Sequence, residues 1–145
     1  MSDWDQYVDQ ILHKLDYDKN EWIVQNVCSA AAIYGHDGTC WAYSEKFPEL
    51  KTYQHDIEDM AGNVVPCTVN EVEVAKKVGD GNRNPCDAGI RLGNAKYMFR
   101  AFDETLGGTQ LSKMGGDGGA IANSKTATII AFVSKDGNRS DKKFQ

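Results

Sequence analysis

Four cysteines and three histidines have the widest chemical repertoire in this chain, and their spacing leaves little of it in use. Cys28, Cys40, Cys67 and Cys86 lie 12, 27 and 19 residues apart, whereas zinc sites and dithiol redox motifs need short paired spacings that hold two thiolates on one turn. Free thiols are expected. Only Cys67 and Cys86, which flank one Gly/Asn-rich stretch, are placed for a loop disulfide under oxidising conditions. His13, His36 and His55 fall on an expected helix, a turn and a second expected helix, with no Gly-x-Ser-x-Gly element around a nucleophile. The run Gly115-Gly-Asp-Gly-Gly119 lacks the Lys-Ser/Thr ending and following helix of a phosphate loop, and reads as a tight turn. No catalytic residue, metal or cofactor is expected, and the chain does not read as an enzyme.

The aromatic residues point to binding instead. Trp4 and Tyr7 stand one helical turn apart near the chain start, where two large amphipathic rings exceed what core packing alone needs. Flat rings edged by an indole N–H and a phenol O–H suit polyproline II ligands, whose carbonyls want donors and whose prolines stack on aromatics.

These rings need elements to hold them. Ser2 is an N-cap candidate for a helix from about Asp3, with Asp3 and Asp5 at the positive end of its dipole. Trp4, Tyr7, Val8, Ile11, Leu12 and Leu15 follow helical spacing. A strand is expected from Trp22 to Tyr34, turning at Gly35-His-Asp-Gly38 into a returning strand, Thr39–Tyr43. Leu50, Tyr53, Ile57 and Met60 predict a second helix ending at Gly62. Residues 62–89 carry a weaker pattern that allows a short helix or strand, and Gly79–Pro85 reads as loop. From Gly89 the signs are all β: two strands meeting at Gly93-Asn94, a turn at Gly107-Gly108, strands at Gln110–Met114 and Gly119–Asn123, and a buried last strand, Ala127–Val133.

The sum is an α+β domain, an antiparallel sheet with helices on its faces. At 145 residues, 41% hydrophobic and 26% charged, the chain supports one core. The expected domain is 1–133, followed by a polar flexible tail, 134–145. No run of about 18 apolar residues could span a membrane, and the acidic start is unlike a secretory signal, which implies the cytosol. The net charge of −5 is uneven: residues 1–90 carry 7 Lys/Arg against 16 Asp/Glu, and residues 91–145 carry 9 against 5. That distribution argues against a general nucleic-acid binder and places any basic contact face in the C-terminal half.

At motif level the chain resembles the profilins. Met1-Ser-Asp-Trp-Asp-Gln-Tyr-Val-Asp9 is similar to their opening, and Ser29–Pro48, with Gly-x-Asp-Gly-x-x-Trp-Ala, is similar to their first hairpin. Gly89–Met98 and Ser124–Ala131 resemble two further strands in the right order, so about three quarters of the chain is covered. Two departures stand out: 61–88 resembles the inserted loops of some protist members, and nothing after Val133 supplies the family's C-terminal helix. A truncated or reduced molecule would leave the face beneath that helix in water, at about 25 cal/mol per Å² of apolar area, so lower stability or self-association is expected.

The resemblance implies a cytoskeletal protein that binds monomeric actin, regulating its polymerisation and nucleotide exchange, and that binds proline-rich peptides. Trp4, Tyr7 and Trp41 match one half of the family's polyproline groove; the other half belongs to the missing helix, so weakened peptide binding is expected. Lys96 matches a basic actin-contact position, with Phe99 and Arg100 beside it and Lys113 and Lys125 as extensions. Basic runs that serve phosphoinositide binding in the family are thinned here to Lys113-Met114 and Ser124-Lys125, which weighs against that ligand. The competing class is a non-actin interaction or sensor module of the same architecture, serving as a ligand or dimerisation platform. Trp4, Tyr7 and the hairpin motif together discriminate against it.

Overall fold

The computed structural model describes residues 7–8, 14–16, 21–23, 28–105 and 107–133. The expectations for Trp4, for most of the N-terminal helix, for the 134–145 tail and for the C-terminal helix lie outside the described residues. Of the N-terminal helix, Tyr7 and Val8 are helical. Leu15, expected on that helix, instead lies in β1 (Lys14–Asp16), which pairs with β2 (Glu21–Ile23). Trp22 therefore belongs to β2, and the strand expected from it starts only at Ala30.

Seven antiparallel strands form the main sheet, in the order β4-β3-β11-β10-β9-β8-β7. They are β3 (Ala30–Gly35), β4 (Cys40–Tyr43), β7 (Ile90–Leu92), β8 (Ala95–Asp103), β9 (Gly108–Lys113), β10 (Gly118–Asn123) and β11 (Ala127–Val133). Strands after Gly89 stand close to where they are expected, with glycine-bearing turns between all but β10 and β11. At the β7–β8 turn Gly93 and Asn94 both have positive φ, 61° and 62°, the type I′ geometry whose twist matches a two-residue hairpin.

The segment 50–60 corrects the helix expectation. Thr52–Glu58 is strand β5, paired in register with β6 (Val64–Asn70) as a separate hairpin. Tyr53 and Ile57 are four apart, a spacing that fits a helix face and a strand face equally. His55 completes the alternation, and the β-branched run opposite supplies a partner. Met60 sits fully exposed in the turn rather than on a buried helical face. The stretch expected as an inserted loop thus holds β6 and a helix, α1 (Glu71–Gly79).

Helix α1 is capped by Asn70, whose side chain accepts the Glu73 amide at 3.2 Å. Glu71 and Glu73 lie in its first turn and Lys76 and Lys77 in its last, complementing the dipole at both ends. Its apolar face, Val74, Ala75 and Val78, packs on one side of the sheet against a core that includes Ile90, Leu92, Leu111, Ile121 and Ile130. Phe47 and Tyr97 stack on Phe132 within that core, at 5.3 and 5.4 Å between ring centroids. On the other side Val8 packs with Ala31, Ile33, Ala42 and Ala127. Alanine-rich β3 is buried on both faces, and its small side chains let layers approach closely from either side.

Candidate functional site

One candidate surface lies on the Val8 side of the sheet at the β4 edge. In β3–β4 pairing Tyr34 faces Cys40 and Ile33 faces Ala42, so the register slips by one residue at Trp41. Such a bulge re-aims a side chain, and here Trp41 joins Ala42 against the Val8 cluster. Gly35 makes room for the ring: a Cβ there would stand 2.8 Å from the indole Nε1. The turn before it is fixed by Asp37, whose carboxylate accepts the Thr39 amide at 3.0 Å and is held below the usual carboxylate range chiefly by that bond. Tyr7, next to buried Val8, remains 46% exposed. Of the three aromatic residues expected to bind peptide, Trp41 packs against this cluster and Tyr7 adjoins its Val8 in the chain, while Trp4 lies outside the described residues.

The same face continues as an apolar groove of about 560 Å³ lined in part by Ala101, Gln110, Ala120, Ala122, Ile129 and Ala131.

The second surface lies near the opposite edge of the sheet, and the structure distributes its expected residues over several environments. Lys96 and Arg100 are exposed on β8. Arg100 sits where the register slips between Phe99 and Ala101. Met98, two residues from Lys96 and 50% exposed, adds an apolar component that sequence reasoning missed. Phe99 points to the core side, with the Arg83 guanidinium 4.6 Å above its ring. Lys113 pairs with Tyr97 across the strands and reaches Asp117 at 4.0 Å. Lys125 is exposed in the β10–β11 turn, away from β8.

Glu71 supports this second surface from within, and nothing in the sequence pattern singled it out. Its carboxylate, 1% exposed, accepts the Lys51 amide at 3.0 Å, the Tyr53 hydroxyl at 3.0 Å and the Asn94 amide at 2.9 Å. The start of α1, strand β5 and the β7–β8 turn are thereby tied at one point. Burial, and then the bond to Glu71, push the Tyr53 hydroxyl up to about 12.

Four thiols are free, and burial raises those of Cys28 and Cys40. Among the described residues no cluster of three or more His, Cys, Asp or Glu side chains could hold a metal ion, and no helix is long and apolar enough to cross a membrane.

A seven-stranded antiparallel sheet with a helix packed on one side and an apolar groove open on the other is an α+β domain. A family model described as Profilin matches residues 2–142. Among solved structures, mouse profilin IIa in complex with a double repeat from the FH1 domain of mDia1 is 15% identical, over 97% of this chain and 88% of that one, with a TM-score of 0.55. Profilin II of Acanthamoeba castellanii is 22% identical over 91% and 81% of the two chains, with a TM-score of 0.49. Human profilin II is 16% identical over 97% and 94%, also with a TM-score of 0.49. The chain belongs to the profilin family. It is, in the general sense of that family, an actin-binding regulator of the cytoskeleton.

Proposed function

We propose that this protein binds monomeric actin in the cytoplasm through the exposed side of β8, regulating polymerisation and nucleotide exchange, and that it catalyses no covalent reaction. The observation that carries the reading is Lys96, Met98 and Arg100 exposed on one strand, a basic and apolar strip in the positively charged part of the chain, suited to an acidic protein surface. Nucleotide exchange follows if the complex favours the open state of actin's cleft over the closed one, since only differential affinity shifts such an equilibrium. A proline-rich peptide is the second ligand, held by Tyr7 and Trp41 together with Trp4. The FH1 repeat bound to the mouse relative supports this choice of ligand. Lys113, sharing its charge with Asp117, and Lys125, in a separate turn, do not make a clustered basic patch for a phosphoinositide headgroup.

The test is titration of monomeric actin followed by sedimentation velocity. Reversing the charge at exposed Lys96 (Lys96→Glu) should weaken the complex by roughly tenfold, about 1.4 kcal/mol, with unfolding midpoints unchanged. Unaltered affinity would remove Lys96 from the interface, and no complex with the wild-type chain would favour a non-actin interaction module.

A further inference from the structure

Cys67 on β6 and Cys86 in the loop between α1 and β7 are 19 residues apart, yet their sulfurs lie 3.6 Å from each other. Both thiols also approach one carbonyl, that of Thr68, at 3.8 and 3.7 Å. A disulfide requires about 2.05 Å between sulfurs, so closing the pair needs an approach of about 1.5 Å, which small side-chain rotations can share. Cys40 is engaged differently, with its thiol directed at the Ala42 carbonyl at 3.7 Å.

We propose that Cys67 and Cys86 form a reversible disulfide that clips the β5–β6 hairpin to the loop leading into β7, with a small peptide disulfide such as that of glutathione as the oxidant. Access supports it. Cys86 lines a polar cleft of about 580 Å³ together with His55, Glu58, Asp87, Arg91 and Lys96. Arg91 and Lys96 offer counter-charges to the carboxylates of such an oxidant, with Glu58 and Asp87 as the opposing charges. Cys86 is therefore the first to react. Its thiolate, once its proton has gone to water, attacks one sulfur of the oxidant. The oxidant's S–S bond breaks, one peptide thiolate leaves and takes up a proton, and a mixed disulfide remains on Cys86. Cys67, whose thiol is raised by burial and by the neighbouring sulfur, then loses its proton and attacks the Cys86 sulfur, expelling the second peptide thiolate. The protein gives up two protons and two electrons, and one peptide disulfide becomes two thiols.

The bond closes a loop containing all of α1. It also adds a tether midway along a hairpin otherwise joined to the body near Glu71 and buried Val69. Since Lys96 and Cys86 share the cleft, oxidation fixes the wall beside the exposed face of β8. The proposal does not depend on what that face binds.

The reduced full-length protein is equilibrated in buffers of glutathione and its disulfide, then analysed by intact mass, peptide mapping and thermal unfolding. The expected result is a mass loss of two hydrogens, a linked peptide joining Cys67 to Cys86, a midpoint raised by about 5–10 °C, and full reversal by dithiothreitol. Cys67→Ser should instead stop at a glutathione adduct on Cys86, and Cys28→Ser or Cys40→Ser should leave the wild-type outcome unchanged. Thiols that persist, a link through Cys28 or Cys40, or a wild-type adduct on Cys86 that never resolves would each overturn the proposal.

Discussion

A carboxylate withdrawn from water must recover the hydrogen bonds it gives up, and at Glu71 three donors from two other elements and the segment before β5 do so. The phenol of Tyr53 is one of them, and its neutral form is the one the fold prefers. Unfolded tyrosine titrates near 10, whereas in the folded chain this hydroxyl is pushed up to about 12. A raised folded value means that the unfolded chain releases its proton first. Tyr53's contribution is therefore fully present below pH 10 and lost as pH rises from 10 through about 12. Tyr34 and Tyr97, both raised chiefly by burial, share this alkaline limb. Urea denaturation across this range should show stability falling above pH 10. Tyr53→Phe should start about 1 kcal/mol lower at neutral pH but fall less steeply with alkali; an unchanged slope would mean that the hydroxyl titrates alike in both states. Glu71 was illegible in the sequence because Lys51, Tyr53 and Asn94 lie 20, 18 and 23 positions away from it, and no local pattern encodes such a meeting. Trp4 and Tyr7, by contrast, could be singled out because their spacing falls within one helical turn.

Elements whose turns demand a particular residue were the ones read correctly. Gly93-Asn94 announced the β7–β8 hairpin because few residues other than Gly and Asn adopt positive φ readily. Segment 50–60 carried no such signal, and its periodicity fitted two structures until β6 was available to pair with it. Helix α1 escaped definition since nine residues present only about two and a half turns of pattern. The turn at Gly93 is also packed from outside: a Cβ there would stand 2.6 Å from Pro48 Cγ, in a backbone already at φ 61°. Gly93→Ala therefore combines left-handed strain with a collision against a ring that cannot swing aside. It also displaces the neighbouring Asn94 amide from Glu71. The expected cost is about 2–4 kcal/mol in chemical denaturation, against a few tenths for Asn94→Gly, which keeps both the dihedral and the amide. Equal losses for the two substitutions would show that the turn's geometry is not what holds it.

Across the whole molecule, the strand order sets how the two proposed surfaces communicate. Trp41 lies on β4 and Lys96 on β8, with β3, β11, β10 and β9 between them, which is about 24 Å along the sheet at ordinary strand spacing. They also differ in charge: Lys96 and Arg100 stand in the cationic C-terminal part, whereas Tyr7 and Trp41 stand in the anionic N-terminal part. Between them one side of the sheet is close-packed by α1 and Phe47, while on the other Val8 covers the β3–β4 end and the apolar groove runs over β8 to β11; the close-packed side is what limits coupling between the two patches. On the proposed reading, actin and a proline-rich peptide should occupy the protein together and nearly independently. Titrating actin with the peptide absent and then saturating should change the dissociation constant by less than about twofold, roughly 0.4 kcal/mol of coupling. Tyr7→Ala should weaken the peptide alone, and Lys96→Glu should weaken actin alone. Mutual exclusion would mean that the surfaces overlap or that one ligand reshapes the sheet. A shared loss from either substitution would trace both ligands to one patch, contrary to the separation of β4 from β8.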